Sequence, residues 1–428
     1  MRATPPDSGR RKPSKKRRAT RSQTPVTGWR IEQPEYDARV ERVRGELDRR
    51  ELDGLVLFHP IRMAYLTGFF HLSTERPMTV VVGRKGELGA LIPLLEQEHI
   101  AKSPGVTRVK VYPEYPTGGT KHPLLHLADL LTAMKLNKSG TRLGYDSDGY
   151  LDINGYDGPN LSEIVDAGVA TVRARDVVDR LRYVKSAAEV RLIRESCTWG
   201  NLAHTLMHQS LALGRSEPDI SNLASAEASQ IMSAALGPTY QMLSKGWGPA
   251  AQVAFSAGQA TSLPHGLANS AGLQYGDVLV TYAGADVGGY QSELERTMFL
   301  GAPGKELAAS FAMMLDLQQA GFDALRPGRT LAEAESEVAA VYTELGVKDQ
   351  QRHHTGHGIG LEGHEGPFID LGDETVIAEG MVFSVEPGLY VPGLAGFRHS
   401  DTVVIDANGA ERLTYYPRDL VSLTVNLL

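Results

Sequence analysis

Residues 355–367 read TGHGIGLEGHEGP, and this stretch decides how the rest of the chain is interpreted. The glycines on both sides of His357 let the backbone and a ligand approach its imidazole closely. A single histidine is more often a satisfied core residue than a catalytic group, but His353, His354 and His364 lie close to this one in the sequence. The cluster therefore favours a functional site around His357.

A second stretch, SELERT at residues 292–297, brings two acids together. Alternate side chains of a strand share a face, so Glu293 and Glu295 are expected to project to the same side. Two carboxylates held side by side are costly unless a cation lies between them. A solvated edge strand is the alternative, but Leu294 and Phe299 indicate a partly buried segment, which favours a functional site.

The motif SVEPGLY, residues 384–390, adds a third acid. Its Glu386 lies at the end of an apolar strand, where an acid is not placed for stability and needs a partner. His265, in the loop sequence LPHG, is a further candidate, although alone it would be weak evidence.

The motif FRHSD, residues 397–401, is predicted to lie on the last strand of the site. Arg398 and Ser400 should share one face of this strand, while His399 and Asp401 take the other. His399 could reach the Ser400 face only through a bulge.

The chain has 428 residues, which is too long for one ordinary core and predicts two domains. Its single cysteine, Cys197, excludes an intrachain disulfide and fits a reducing, cytoplasmic compartment. No run of about 18 apolar residues occurs, so a membrane span is not expected. The first domain has no glycine-rich phosphate loop, and no nucleotide site is predicted in it.

The first 34 residues are strongly basic and have no apolar stretch behind the charges. They are predicted to form a disordered extension, not a secretory signal peptide. A tail that touches nucleic acid or an anionic surface is the alternative. Without the tail the body is acidic, so nucleic acid is not expected as its main partner. The basic residues up to position 21 are Arg2, Arg10, Arg11, Lys12, Lys15, Lys16, Arg17, Arg18 and Arg21.

Helices and strands are arranged differently in the two predicted domains. Residues 35–175 alternate strands with helices, which is typical of a three-layer α/β domain. Residues 176–428 place helices before strands twice, which predicts an α+β domain. The predicted helices span residues 37–53, 190–206, 305–324 and 331–345, and the predicted strands span 55–58, 79–82, 88–92, 278–283, 290–300, 380–391 and 397–406.

These motifs resemble those of the pita-bread hydrolases, the peptidase M24-like family of creatinase, prolidase, aminopeptidase P and methionine aminopeptidase. The stretch LDGLVLFHPIRMAYLTGF, residues 52–69, resembles the N-terminal domain of that family, and RYVKS, residues 182–186, resembles its domain junction. The resemblance covers nearly the whole chain from about residue 36. It implies a creatinase-type N-terminal domain at residues 35–175 and a pita-bread catalytic domain at residues 176–428.

In the metallopeptidases of this family, two aspartates, a histidine and two glutamates hold two divalent ions. The resemblance places these ligands at Tyr282, Glu293, His357, Glu386 and Ser400. A phenol and a hydroxyl cannot supply the negative charge that holds paired ions about 3.5 to 4 Å apart, so no two-metal centre is expected. One divalent ion (Mn, Fe, Co or Zn) held by Glu293, His357 and Glu386 is the alternative.

Creatinase, which works without metal, is similar to this chain at residues 294–297, LERT, where the metallopeptidases usually have a small residue instead of Glu295. By that resemblance His265 is the general base or proton shuttle, while Glu295 and Glu386 hold a cationic guanidinium or amidine group. The expected catalytic residues are His265, His357, His364, Glu295 and Glu386, and the expected substrate-binding residues are Glu293, Tyr282, Arg398 and Arg76.

Three functions remain open at this point. The first is a hydrolase that cleaves a C–N bond in a small amide, amidine or peptide-like substrate, with no obligatory metal. Creatine itself is not the expected substrate, because residues 398–401 and the extra acid Glu293 depart from creatinase. The second is a metal-dependent Xaa-Pro dipeptidase or aminopeptidase with a mononuclear site, and the third is a non-catalytic pita-bread binding protein. Family analogy also implies a homodimer in which Arg76 reaches the partner's site; a surface salt bridge is the alternative role for Arg76.

Overall fold

The computed structural model describes residues 28–113, 121–150, 153–243 and 248–426. Most of the predicted basic extension lies outside these ranges. Residues 28–34 are described, and they pack against the body of the protein. The Trp29 indole donates a hydrogen bond to the carbonyl oxygen of Leu236 at 3.2 Å, and Ile31 is buried. The apolar side chains of this short part therefore contact the core.

The first domain is built on a mixed sheet that is covered on both faces. Val56 and Phe58 pack with Leu127 on one face, while Leu55 and Leu57 pack on the other. The three-layer α/β prediction is thereby confirmed. Its strands are β1 (Gly54–Leu57), β2 (Thr79–Gly83), β3 (Leu88–Pro93), β4 (Val106–Tyr112), β5 (Arg142–Tyr145) and β6 (Ala170–Arg173), in the order β4-β3-β2-β1-β5-β6 within the described residues. Its helices are α1 (Gln33–Arg49), α2 (Pro60–Thr67), α3 (Gln97–Ile100), α4 (Leu125–Ala133), α5 (Leu161–Ile164) and α6 (Asp176–Tyr183).

Helix α6 follows the predicted domain boundary, yet it is bound to the first domain. Arg50 pairs with Asp176 at 2.8 Å, and Arg62 pairs with Asp179 at 2.7 Å. By its contacts the first domain therefore continues through α6, one helix beyond the predicted boundary at residue 175.

The second domain packs helices against one side of a largely antiparallel sheet, as the α+β prediction requires. Its helices are α7 (Ala187–Ser210), α8 (Glu217–Leu236), α9 (Lys305–Ala324) and α10 (Leu331–Glu344). Its strands are β7 (Ala251–Ala257), β8 (Val278–Val287), β9 (Tyr290–Gln291), β10 (Leu294–Leu300), β11 (Gly356–Gly358), β12 (Glu365–Ile369), β13 (Val382–Val385), β14 (Gly388–Val391), β15 (Ala395–Arg398), β16 (Ser400–Asp406), β17 (Gly409–Arg412) and β18 (Thr424–Val425). Among the described residues the main path of the sheet runs β12-β11-β13-β16-β10-β8-β7, and β14 pairs with β15 beside it.

A buried ion pair lies on the helix side of this sheet. Arg296 of β10 donates to Asp401 of β16 at 2.8 Å, and neither side chain is exposed. The same guanidinium donates to the carbonyl oxygens of Glu295 and Ser400, the two residues that face each other across the two strands. Gln318 of α9 also donates to Asp401, at 2.9 Å. Arg296 therefore bridges β10 and β16 from behind.

Two predicted strands are interrupted at the site. The prediction of one strand over residues 380–391 is wrong at Pro387, which has no N–H to continue the ladder and separates β13 from β14. The strand predicted over residues 397–406 breaks at His399, between β15 and β16. None of the helices in the described ranges combines the length and apolar composition that crossing a membrane requires.

Candidate active site

The strand register gathers most of the predicted site residues on the side of the sheet away from Arg296. Glu295 of β10 faces Tyr282 of β8 on one side and Ser400 of β16 on the other. His357 of β11 faces Ser384 of β13 in the same sheet. These short cross-strand separations bring together residues that are up to about 120 positions apart in the chain.

Glu293 precedes β10 and is bound by two hydroxyls. Ser384 Oγ donates to Glu293 Oε1 at 2.6 Å, and Ser400 Oγ donates to the same oxygen at 2.7 Å. Its other oxygen, Oε2, lies 3.8 Å from His357 Nε2. Burial and the neighbouring charge of Glu386 raise the pKa of Glu293 above its ordinary value. Ser400 thus acts as a hydrogen-bond donor to an acid.

The His357 ring has a fixed orientation. Its Nδ1 lies 3.0 Å from the Gly358 carbonyl oxygen and donates to it, which directs Nε2 toward the acids. Nε2 lies 3.1 Å from Glu386 Oε1, but the angle does not make a hydrogen bond, and among the described residues this buried nitrogen has no hydrogen-bond partner. Burial lowers the pKa of His357, but Glu386 and Glu293 more than offset this effect and raise it to about 9.

Glu386 is the most acidic of the clustered carboxyl groups. Burial acts to raise its pKa, whereas His357 and the guanidinium of Arg398 outweigh burial and hold the pKa at about 2. Glu386 is therefore ionised at neutral pH. It faces His357 through one oxygen and lies 3.7 Å from Arg398 Nε through the other.

Glu295 and Arg398 form a pair in which both carboxylate oxygens are bound. Arg398 Nη2 donates to Glu295 Oε1 at 2.6 Å, and Arg398 Nε donates to Oε2. The Nη1 group donates to the Pro264 carbonyl oxygen at 3.2 Å and to the Tyr390 hydroxyl at 3.1 Å. Burial raises the pKa of Glu295 against the opposing effect of Arg398. The geometry differs from the predicted use of Glu295 and Arg398 as separate substrate contacts, because each already satisfies the other.

Two of the predicted histidines lie at the exposed mouth of the cluster. The His364 ring stacks on the His357 ring, with centroids 3.5 Å apart and planes 22° apart. Partial burial and the charge of His357 lower the pKa of His364 to about 4, so it is neutral at pH 7. His265 is exposed in the loop that follows a short 3-10 turn at Gly258–Ser262.

The remaining predicted residues divide between the site and the first domain. Burial and the charge of Glu293 raise the pKa of Tyr282, so its phenol is neutral at the edge of the cluster. Arg76 lies in the first domain, where it pairs with Glu75. His399 points to the other side of the strand, as predicted, and its ring lies 5.3 Å from that of Phe311. The predicted alternation of the FRHSD strand is therefore confirmed.

Sequence reasoning missed two contributors, Ser384 and Tyr390. Ser384 lies two residues before Glu386, and its binding of Glu293 could be suspected from the period-two alternation of a strand. The contact of the Tyr390 hydroxyl with Arg398 joins two strands and has no comparable signal in the sequence.

Two groups of side chains in the described residues could hold a cation, since one ligand atom of each member lies within 4.8 Å of those of the others. One group is Glu293, His357 and His364, and the other is Glu293, Glu295 and Glu386. Glu295 is the least suited of them, because Arg398 binds both of its oxygens. A divalent ion is therefore compatible with this cluster of carboxylate and imidazole groups.

Comparison with known proteins agrees with this architecture. The Xaa-Pro dipeptidase of Pyrococcus furiosus is 34% identical over 246 residues, which are 58% of this chain and 67% of that protein. The crystal structure of dipeptidase PepE from Mycobacterium ulcerans matches with a TM-score of 0.75 and 28% identity, covering 92% of this chain and 100% of that one. An Xaa-Pro dipeptidase from Bacillus anthracis matches with a TM-score of 0.74 and 25% identity, covering 91% and 100%.

Two family descriptions match consecutive parts of the chain. "Creatinase/Prolidase N-terminal domain" matches residues 39–184, and "Metallopeptidase family M24" matches residues 191–407. The first match ends after α6, in agreement with the contacts of that helix. The predicted resemblance to the pita-bread hydrolases and the predicted fold class are confirmed. The chain belongs to metallopeptidase family M24, with a creatinase/prolidase N-terminal domain preceding its peptidase domain.

Proposed function

We propose that this chain hydrolyses a C–N bond in a small amide, amidine or peptide-like substrate without a two-metal centre. The observation that carries the proposal is the charge and hydrogen bonding of the side chains around Glu293. Ser400 donates a hydrogen bond to Glu293 and adds no charge, and Tyr282 is a neutral phenol. The extra acid, Glu295, is neutralised by Arg398. Paired divalent ions need bridging negative charge, and these residues do not supply it.

The charge balance favours a substrate with one positive charge. The charges of Glu295 and Arg398 cancel each other. The carboxyl groups of Glu293 and Glu386 then remain beside His357. Because the pKa of His357 is raised to about 9, the ring is protonated at neutral pH and offsets one of them. Burial and Glu386 raise the pKa of Glu293, but a cation bound beside it would favour its ionised form, and one ammonium, guanidinium or amidinium group would match that charge.

The two exposed histidines are the candidates for proton transfer in this proposal. In the proposed reaction a histidine removes a proton from water, the oxygen adds to the carbonyl or amidine carbon, and the C–N bond breaks as the proton passes to the leaving nitrogen. We assign this proton transfer to His265. His364, which is neutral at pH 7, would accept a hydrogen bond or a proton beside it.

A metal-dependent Xaa-Pro dipeptidase with one ion is the second candidate, and a specific observation favours it. His357 Nε2 is buried, has no hydrogen-bond partner among the described residues, and faces two carboxylates. Glu293, His357 and Glu386 would hold such an ion, with His357 deprotonated. The ion would supply Lewis-acid polarisation of the substrate carbonyl. The matched relatives described above are named as dipeptidases, two of them as Xaa-Pro dipeptidases.

Elemental analysis, which measures bound metal in the purified protein, and activity assays together separate the two candidate functions. The full-length protein is assayed on Xaa-Pro dipeptides, small amides and amidines, first after exhaustive chelation and then with Mn, Fe, Co or Zn added singly. Turnover that survives chelation supports the metal-free hydrolase, whereas turnover that is lost and then restored by one ion overturns it in favour of the dipeptidase. His265→Gln should abolish turnover, while His99→Gln, an exposed histidine of the first domain, serves as the matched control. If the protein binds a ligand specifically but shows no turnover under any of these conditions, the result would support a non-catalytic binding protein.

We also propose that the chain forms a homodimer in the cytoplasm and that Arg76 reaches the partner's site. Light scattering on the purified protein tests the assembly. If the protein is a monomer at assay concentration, the proposed role of Arg76 fails. Arg76→Ala should otherwise lower kcat/KM without changing the mass of the particle.

A further inference from the structure

The loop that carries His265 rests on strand β15. The Gly396 N–H donates to Thr261 Oγ1 at 2.9 Å, at the start of this loop. The two backbones approach so closely that a Cβ on Gly396 would lie 1.9 Å from the Thr261 carbonyl oxygen. This contact fixes the beginning of the loop, but it lies four residues before His265.

A second contact lies directly beside the histidine. Arg398, the last residue of β15, donates from Nη1 to the carbonyl oxygen of Pro264 at 3.2 Å. Pro264 is the residue immediately before His265. The loop is therefore held by β15 at two points, and the second depends on the position of one guanidinium group.

Strand β10 sets the position of that guanidinium. Glu295 and Thr297 lie two positions apart, and both bind Arg398. Glu295 accepts from the side chain, with the Nη2 to Oε1 distance at 2.6 Å. Thr297 Oγ1 accepts from the backbone N–H of Arg398 at 2.9 Å and donates to its carbonyl oxygen at 3.1 Å. Side chain and backbone of Arg398 are thus fixed by the same strand.

The guanidinium has little capacity left for a substrate. It offers five N–H donors, and Glu295, Pro264 and Tyr390 already accept four hydrogen bonds from it. The Arg398 side chain is 12% exposed. A group so fully engaged determines the geometry of its neighbours more than it binds a ligand.

We propose that Arg398 and Glu295 are positioning residues, and that they hold His265 in place through the Pro264 carbonyl. This inference rests on the proposed function only in assigning proton transfer to His265. On this view Glu295 acts on the His265 loop indirectly, because its charge orients Arg398. Loss of the pair would move His265 and lower kcat, while a substrate contact would mainly raise KM.

Hydrogen exchange measured by mass spectrometry tests the inference on the full-length protein. Arg398→Lys keeps a positive charge, but one ammonium group cannot bind both Glu295 oxygens and the Pro264 carbonyl. Amides of residues 258–271 should exchange about fivefold to tenfold faster in this variant, as expected for loss of one net hydrogen bond. Arg412→Lys, on β17, replaces an arginine that lies over Phe322 and serves as the matched control.

Glu295→Gln and Tyr390→Phe provide independent variants if Arg398→Lys does not fold. Glu295→Gln should accelerate exchange in the same residues, and Tyr390→Phe, which leaves the Glu295 pair intact, should accelerate it less. Exchange as slow as in the wild type in the folded Arg398→Lys and Glu295→Gln variants would overturn the inference, as would a rise in KM with unchanged kcat. The exchange measurement needs no substrate. Failure of the proposed hydrolytic function is therefore distinguishable from failure of the positioning role.

Discussion

Replacement of Ser400 by glutamate should make the thermal stability of the protein depend on a divalent metal ion. The Ser400 side chain is fully buried, and its Oγ lies 2.7 Å from Glu293 Oε1 and 3.3 Å from Ser384 Oγ. Ser400→Glu adds a carboxylate beside Glu293 and Glu386, with no new cation to balance it. An unpaired buried charge costs about 3 to 5 kcal/mol.

The larger side chain also costs about 1 to 3 kcal/mol through overpacking. Ser400→Gln carries nearly the same volume without the charge, so the difference between the two variants isolates the electrostatic part. A difference of about 3 kcal/mol corresponds to roughly 6 to 12 °C in Tm for a domain of this size. In EDTA we therefore expect the order of stability to be wild type, Ser400→Gln, Ser400→Glu.

A divalent ion should reverse much of that loss in the glutamate variant alone. An ion present at about 100 times its Kd stabilises the folded state by about 2.7 kcal/mol. Thermal unfolding at pH 7.5, in EDTA and across a Mn²⁺ titration, measures the effect. Equal Mn²⁺ responses of Ser400→Glu and Ser400→Gln would refute the reasoning, as would equal Tm values of the two variants in EDTA.

Three other predictions concern pH and the buried charges. Glu217 is buried, accepts a hydrogen bond from the Phe255 N–H at 3.1 Å, and has its pKa raised by burial to about 7. Its ionised form is disfavoured in the folded state, so it costs stability increasingly as pH rises from about 4.5 to 7. In urea unfolding, the free energy of unfolding of Glu217→Gln should exceed that of the wild type by about 2 kcal/mol at pH 8 and should equal it at pH 4. A difference in unfolding free energy that does not change with pH would contradict this prediction. The pKa of His357, raised to about 9 because Glu386 and Glu293 outweigh burial, predicts competition between proton and metal. Binding of Mn²⁺ to the Ser400→Glu variant, measured by calorimetry, should tighten about tenfold per pH unit between pH 6 and 8, and an affinity that is flat with pH would exclude His357 as a ligand. Asp401→Asn leaves the guanidinium of Arg296 buried without its carboxylate and should cost about 3 to 5 kcal/mol in denaturant unfolding, against less than 1 kcal/mol for the exposed pair partner Glu411→Gln.

Strand periodicity carried the successful part of the sequence prediction. The two-residue period places Arg398 and Ser400 on the open side of the sheet and His399 on the helix side, and the contacts agree. That argument needs only local geometry, because neighbouring side chains of a strand point in opposite directions whatever the rest of the chain does. The hydrophobic pattern of the first sheet was predictable for the same reason.

Pairings between strands could not be predicted. Glu295 and Arg398 are separated by 103 positions, and nothing in either local sequence indicates that each satisfies the other. The sequence therefore suggested two substrate contacts where the structure has one ion pair.

The ends of helices and strands differ from the predicted ends where a single residue overrides the periodic pattern. Helix α1 was predicted at residues 37–53 but spans Gln33–Arg49. Pro34 fits the first turn, where its missing N–H costs nothing, and Glu51 has a φ of 55°, which ends the helical path. Such local stops outweigh a hydrophobic pattern that would fit either position.

The guanidinium of Arg296 constrains which changes this site can accommodate over evolutionary time. It donates to the carbonyl oxygens of Glu295 and Ser400 and so ties the register of two strands to backbone atoms, whatever side chains those positions carry. A change of side chain at position 282 or 400 would leave that bridge untouched. Insertion or deletion of one residue before Arg296 in β10 would turn its side chain toward the open side, and the same change before Asp401 in β16 would turn that carboxylate away from Arg296. Sequence drift in this sheet should therefore exchange side chains freely while strand lengths stay fixed.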